Sequence, residues 1–525
     1  MGLVRSLGSV GGLTLASRIL ALVRDSLQAR YVGAGFVSDA FLVAFRLPNM
    51  FRAFFAEGAF SSAFIPMFNR KLAEAKGDRT PAFEFAERSL SVLFAFLTVM
   101  TAVMLIAAWP VTYLLSGFGF HEQNPTPEQF SYAVTLSRIT IPYLMLICLA
   151  SLLGGILNSL DRFWVNAAAP ILLNIAMVAA LLLVHGTPEE TARAQAIAIP
   201  IGGVLQLGWL YAACRAAGVS LRPRLPRIDA DVKKLMVLLL PAALGAGAVQ
   251  LNLVISTFMS GYLLGEGSIS AIYYADRVNQ LPLGMIGIGL GTILLPTISR
   301  LLSSGEEEKA MDTQNRGMEL ALFLTLPAMV ALIVAAEPIV RGLFQYGEFD
   351  AEDAVRCSWA LAGFSIGLPS YVLVKILTPG FYARHDTRTP VRFATISVGV
   401  NIALNLALIP LIGHVGPPLA TALSSTVNVA MLYFTLRKRG FFVADRQLKR
   451  RLPRLALAAL LMGATLFAFD RLLDPWLNAG MWMRYLALLV LVGAGVTVYG
   501  VACFLTRAFM LADVRLLLNR RSRSA

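Results

Sequence analysis

Arginine and carboxylate side chains stand inside the first two apolar segments of the chain. The sequence runs Ser17-Arg18-Ile19-Leu20-Ala21-Leu22-Val23-Arg24-Asp25 and continues to Asp39, Arg46, Arg52 and Glu57, all within runs of Leu, Phe, Ala and Val. A charged side chain at mid-bilayer costs about 2.5 to 3.5 kcal/mol even on the lenient insertion scale, so a chain that carries several needs a compensating use for them. Arginine suits a phosphate, because its planar fork donates two parallel hydrogen bonds and keeps its charge when desolvated. The chemistry on offer is capture of an anion, and a diphosphate would match several such forks at staggered depth.

Helical rise orders these charges by depth. If the first two segments form an antiparallel hairpin turning near Gly35, Arg18 and Arg52 are both seventeen positions from the turn and Arg24 and Arg46 both eleven, so the four cations form two levels. Arg277 lies about nine residues into a later segment that begins near Ser268, close to the Arg24 level. A cavity shared by the two halves of the chain is the expectation. Arg18 and Asp25 are seven apart, as are Asp39 and Arg46, so the charges also have the alternative of pairing among themselves. Against that, Arg18, Arg24, Arg46, Arg52 and Arg277 outnumber Asp25, Asp39 and Glu57, a margin that Asp276 narrows if it faces inward. Pro48 should kink the second segment and release backbone groups that only a protein-lined or watery interior satisfies. Gly58, Gly284, Gly287, Gly289 and Gly291 allow bending or close helix approach. Lys375 is a further inward candidate, and Arg138 reads as a cation snorkelling to an interface.

The elements that must position these residues are membrane helices. Of 525 residues, 57% are hydrophobic and 14% charged, and the mean hydropathy is +0.68. About fourteen apolar stretches approach the length that spans a bilayer as a helix. They centre near 8–33, 37–68, 88–116, 130–158, 163–185, 192–214, 235–263, 269–302, 316–343, 356–383, 391–412, 416–437, 453–473 and 483–506. The net charge of +14 does not point to nucleic acid, because the basic residues alternate by connector. Arg70, Lys71, Lys76, Arg79 and Arg88 share one connector, Arg215, Arg222, Arg224, Arg227, Lys233 and Lys234 another, and Arg437 to Arg454 is the densest. Residues 33–38, 116–129, 264–268 and 413–416 have no Lys or Arg. By the positive-inside rule the basic connectors and both termini are cytoplasmic, which an even number of spans allows. Cys148, Cys214, Cys357 and Cys503 read as small core residues, and His121, His185, His385 and His414 form no ligand cluster. The N-terminal run, interrupted by Arg18 and Arg24, reads as a retained helix rather than a signal peptide.

A repeat of roughly 230 residues runs through the chain. Ile65-Pro66 matches Leu295-Pro296, Trp109-Pro110 matches Glu337-Pro338, Ile141-Pro142 matches Leu368-Pro369, and Leu173-Asn174-Ile175-Ala176 matches Leu404-Asn405-Leu406-Ala407. Six spans per repeat imply two lobes related by an axis along the membrane normal. The expected division is residues 1–216 and 217–439 as the lobes, with 440–525 as an accessory helix pair and a basic cytoplasmic tail.

Three groups of residues carry a family resemblance. They are Ser17 to Asp25 with Gly33-Ala34-Gly35 and Ser38-Asp39-Ala40-Phe41; Phe45-Arg46-Leu47-Pro48-Asn49 with Phe55 to Phe60; and Tyr274-Ala275-Asp276-Arg277 with Leu281-Pro282 and Leu290 to Pro296. They resemble the MurJ/MviN family of lipid II flippases, in the multidrug/oligosaccharidyl-lipid/polysaccharide exporter superfamily, and the resemblance runs through both lobes. It implies a multi-pass protein of the bacterial inner membrane that moves the undecaprenyl-diphosphate-linked peptidoglycan precursor between leaflets by alternating access. It implies Arg18, Arg24, Arg52 and Arg277 as the diphosphate-binding cations, with Asp25, Asp39, Arg46, Glu57 and Lys375 as supporting or gating residues. The last two spans would form a groove for the lipid tail. The family often has an acid three residues after the later arginine where this chain has Gln280, which puts a gating ion pair there in doubt.

Some relatives use a cation site in the second lobe. Asn252, Asn401, Asn405 and Thr421 offer oxygens for one, without a carboxylate, and packing is the favoured role for these amides. The membrane potential is the other drive, at about 2.3 kcal/mol per charge through 100 mV. No cofactor is expected. The expected partners are lipid II, membrane lipids and other cell-wall synthesis proteins, with the protein itself a monomer. A drug/cation antiporter of the same superfamily would want a net acidic cavity. A membrane-embedded cell-wall enzyme would want a large outer loop with catalytic carboxylates or a histidine constellation, and neither is visible in the sequence.

Overall fold

The computed structural model describes residues 2–56, 59–74, 78–118, 125–184, 186–222, 225–477 and 479–508, and all regular structure among them is helical. Glu57, Gly58, His121, His185 and most of the expected basic tail lie outside the described residues. Nine helical stretches among the described residues are long and apolar enough to cross a membrane. The segments bearing Arg18, Arg24, Asp25 and Arg277 are not among the nine.

The chain divides into two compact units, the first being Met1–Ser270 with Tyr346–Asp350 and the second Ala271–Gln345 with Ala351–Ala525. The first unit holds α1 (Gly2–Val32), α2 (Phe36–Ala56), α3 (Ala59–Glu74), α4 (Thr80–Ile106), α5 (Ala108–Ser116), α6 (Pro127–Thr140), α7 (Pro142–Ser159), α8 (Phe163–Leu183), α9 (Pro188–Ala216) and α10 (Ala230–Leu263). Here α1 packs on α8, α8 and α7 on α9, and α2 on α6 and α7. Phe64 stacks on Phe60, Phe68 and Phe85, with ring centroids 5.4 to 5.6 Å apart, and so ties α3 to α4. Gly203 lets α9 approach α7, since a Cβ there would come within 2.6 Å of the Tyr143 ring.

α10 packs against α3 and α5, so compaction divides the chain at Ser270, whereas the repeat read from sequence divides it at residues 216 and 217. The connector before α10 is fastened to the same unit. Glu87 accepts a bond from the Arg222 N–H (2.9 Å), Arg88 pairs with Asp229 (2.6 Å) and Lys71 with Asp231 (2.7 Å). The short segment Tyr346–Asp350 joins this unit because the Glu348 N–H donates to the Arg30 carbonyl at 2.9 Å.

The second unit holds most of α11 (Ser268–Ser303), then α12 (Glu307–Val334), α13 (Ala336–Phe344), α14 (Ala351–Ser365), α15 (Leu368–Tyr382), α16 (Arg388–Ile412), a 3₁₀ turn (Gly413–Val415), α17 (Gly416–Lys438), α18 (Arg446–Leu477) and α19 (Met481–Leu505). The final helix pair is built into its core. Met318, Leu322, Leu455, Met462, Leu466 and Leu491 share one buried apolar cluster, and the Tyr499 hydroxyl donates to the Phe323 carbonyl at 2.7 Å.

The repeat is visible in where helices break. Pro110 and Pro338 lack the N–H that would bond Ile106 and Val334, the last residues of α4 and α12, and both helices stop there before α5 and α13 resume. Pro142 and Pro369 likewise open α7 and α15 one residue into each helix or at its start.

Candidate anion-binding site

Arg24 and Asp25 are both deeply buried, at 5% and 1% exposure. The Arg24 guanidinium folds back along α1 so that its Nε and Nη2 donate to Asp25 Oδ1 at 3.0 and 2.6 Å. Its Nη1 donates to Asn174 Oδ1 on α8 at 3.0 Å and lies 3.7 Å from the Met177 sulfur. Asn174 in turn donates to the Ser17 carbonyl at 3.3 Å, which closes a buried polar link between α1 and α8. The sequence offers Asp25 to Arg18 by shared helix face; in the structure the guanidinium of its chain neighbour Arg24 turns back onto it. A buried charge in an apolar surrounding must be paired and hydrogen-bonded, and these contacts meet that requirement for Arg24.

Arg18 is exposed on α1, next to exposed Leu15 and Ile19. Arg46 is half-buried and donates to the Leu253 carbonyl of α10 at 3.2 Å. Arg52, half-buried one and a half turns further along α2, donates its Nε to Asn49 Oδ1 at 2.9 Å. Sequence spacing offers Asp39 to Arg46, but Asp39 is bonded at the start of α11. Its two oxygens accept the N–H groups of Gly267 (2.8 Å) and Ser270 (2.7 Å), so it caps the start of α11 from 228 residues away in sequence.

In the second unit the half-buried Arg277 guanidinium lies 4.6 Å from the centre of the Tyr273 ring, a cation–π contact within α11. Gln280 donates to Asp276 one helical turn before it, so the amide at the position in doubt bonds an acid. Lys375 is exposed on α15. Asn405 donates to Asn401 Oδ1 (2.9 Å) and Asn401 to Thr421 Oγ1 (3.3 Å), so these three meet in a hydrogen-bonded cluster of α16 and α17. Asn252 belongs to α10 in the other unit. Among the described residues no group of three or more His, Cys, Asp or Glu side chains could hold a metal ion. Asn174 and Asn49 are the site residues that reading for charge overlooked; an amide inside an apolar helix was the available signal.

This arrangement of arginines within apolar helices can be set beside known proteins. A family model described as lipid II flippase MurJ matches residues 28–487. The chain belongs to the lipid II flippase MurJ family. A probable lipid II flippase MurJ of Rhizobium meliloti (strain 1021) is 41% identical over 96% of the chain and 94% of that protein. One from Vibrio cholerae is 36% identical over 96% of each. Among solved structures, a lipid II flippase MurJ in an inward closed conformation superposes with a TM-score of 0.78 at 24% identity, over 94% of this chain and 97% of that one. An inward-facing multidrug transporter of the MATE family, in the MOP superfamily, has a TM-score of 0.65 at 15% identity and covers 80% of this chain and 94% of its own. These two likenesses establish the fold: an all-α, multi-pass membrane protein shared by flippases and drug exporters. Of the four arginines expected from the sequence, Arg18, Arg24 and Arg52 belong to the first unit and Arg277 to the second.

Proposed function

We propose that this protein is a lipid II flippase, carrying the undecaprenyl-diphosphate-linked peptidoglycan precursor from the inner to the outer leaflet of the bacterial cytoplasmic membrane by alternating access. Near-full-length identity to proteins named as such, 41% over 96% of the chain, carries the reading. The chemistry of the chain agrees with it. A diphosphate calls for guanidinium forks, and Arg18, Arg24, Arg52 and Arg277 are the candidates that supply them. An arginine excess argues against the drug/cation antiporter reading that the MATE likeness might invite.

The Arg24–Asp25 pair suggests how such a site releases its ligand. A diphosphate that takes the Arg24 fork displaces Asp25, and Asp25 reclaims the fork when the ligand leaves, so neither state strands a buried cation. We place both termini in the cytoplasm with fourteen crossings, following the alternation of basic connectors. Transport is driven by the membrane potential or by a coupled cation, the amide cluster of Asn401, Asn405 and Thr421 being the candidate site for the latter, and the protein works as a monomer.

Depletion of the protein in growing cells, followed by leaflet-resolved measurement of lipid II, tests the function. The precursor accumulates in the inner leaflet within a generation of depletion and export resumes on re-expression. Unchanged export in depleted cells would refute the reading.

A further inference from the structure

The turn that joins α16 to α17 in the second unit holds a histidine against a neighbouring helix. Gly413 opens the turn with a φ of +59°, a conformation glycine adopts without strain, so α16 ends and the chain reverses within three residues. His414 follows it, partly buried. The turn packs on α14 as well as on the two helices it joins. Little space separates them. A Cβ at Gly416 would come within 2.9 Å of the Ile409 nitrogen, and one at Gly363 of α14 within 3.0 Å of Pro418 and 3.4 Å of Val415.

The two ring nitrogens of His414 are treated differently by this packing. One donates to the Arg356 backbone carbonyl of α14. The other, Nε2, is buried and has no hydrogen-bond partner among the described residues. A neutral imidazole fits the arrangement, with its one N–H used and its second nitrogen a bare lone pair. A protonated ring does not, because Nε2 would become a buried donor without an acceptor and a second cation would stand beside Arg356. Burial, and then the Arg356 guanidinium, hold the imidazole below its ordinary value of 6.5, and the carbonyl bond offsets only part of this.

Counter-ions for a protonated ring are scarce around the turn. The charged residues of α14 near it are Glu352, Asp353 and Arg356, and Glu352 is already paired with Arg356. Residues 393–412 of α16 and 416–432 of α17 include no titratable side chain.

We infer that His414 is a proton-binding site that latches the α16–α17 turn onto α14: the neutral ring keeps the turn seated, and protonation unseats it. Once the turn lifts, the ring meets water and binds a proton more readily than it does when seated, so falling pH favours the lifted form. The latch is closed above the ordinary imidazole value, near 6.5, and loosens as pH drops below it. It needs neither a particular cargo nor a particular side of the membrane.

Amide hydrogen exchange of residues 411–416 tests this, using full-length protein in lipid nanodiscs, where both membrane faces meet the same buffer. With the intrinsic pH dependence of exchange removed, wild type opens severalfold more often at about pH 5.5 than at about pH 7.5. The ceiling is about tenfold, since the lower pH lies one unit below the ordinary imidazole value. The ratio falls to about one in His414→Gln, which keeps a donor for the carbonyl but cannot take up a proton. It shrinks in Arg356→Gln, which removes the opposing cation. A ratio of about one in wild type overturns the inference, as does the same rise in wild type and His414→Gln. Should His414→Gln fail to fold, NMR of the four histidines decides. One ring titrates below the ordinary value in wild type and moves up toward it in Arg356→Gln; four rings titrating together near 6.5 overturn the inference.

Discussion

Arg24 and Asp25 neutralise one another within a single turn of α1, and the cost of burying either charge alone sets what mutation will do. Removing one partner of a buried pair costs about 3 to 5 kcal/mol, whereas replacing both by apolar side chains of similar size is often neutral. Arg24→Ala should therefore lower the thermal midpoint in detergent and abolish flipping in reconstituted vesicles. Arg24→Met combined with Asp25→Leu should recover most of the stability while flipping stays absent. Flipping that returned with stability would make the pair a packing feature. The identities of the charged residues were plain in the sequence, but their partners were not: Asn174 is 150 positions from Arg24, and nothing in the spacing of either marks the bond.

At the scale of elements, α12 and α18 are joined by a buried acid. Glu319 pairs with Arg316 at 2.5 Å and with Arg451 at 3.1 Å and accepts from Gln447 at 3.2 Å. One turn away Asn315 holds the connector, donating to the Val443 carbonyl (3.0 Å) and accepting from the Asp445 N–H (3.2 Å). The most basic connector of the chain reads in sequence as a topological anchor; Arg451 within it also docks the last helix pair. Glu319→Ala should cost about 3 to 5 kcal/mol, because it removes a buried acceptor that Arg316, Gln447 and Arg451 share. Thermal unfolding measures this, and Glu319→Gln, which keeps an acceptor but not the charge, should fall between.

The connector between α15 and α16 behaves differently with pH. Asp386, which accepts from the Thr389 hydroxyl and from Arg439 at 2.6 Å each, is held down to about 2 by these bonds. A depressed carboxylate contributes stability above its unfolded value, near 3.9, and loses it as pH falls toward 2. The effect is small, since the pair is partly exposed. Asp386→Asn should flatten the acid limb of the stability curve between about pH 4 and 2, and an unchanged limb would show that this acid is not responsible.

For the whole molecule, the alternation of basic connectors makes a sidedness prediction that the protein's own thiols do not confuse, because Cys148, Cys214, Cys357 and Cys503 are all buried. Glu352 and Lys449 are exposed at helix ends on connectors of opposite character. A membrane-impermeant maleimide should label Glu352→Cys from outside, with the outer membrane opened and the inner membrane intact, and label Lys449→Cys only once the inner membrane is opened. The reverse pattern would invert the topology.

Hydropathy, proline spacing and connector charge are properties of the chain taken in order. The all-helical membrane class, the repeat with its matched helix breaks, the family and the arginines of interest were therefore legible in the sequence alone. The partners of those arginines were decided by tertiary structure. A hydrogen bond is made or lost over a few tenths of an ångström. Only folding determines that Asp39 reaches Gly267 and Ser270 and that Asn174 reaches Arg24.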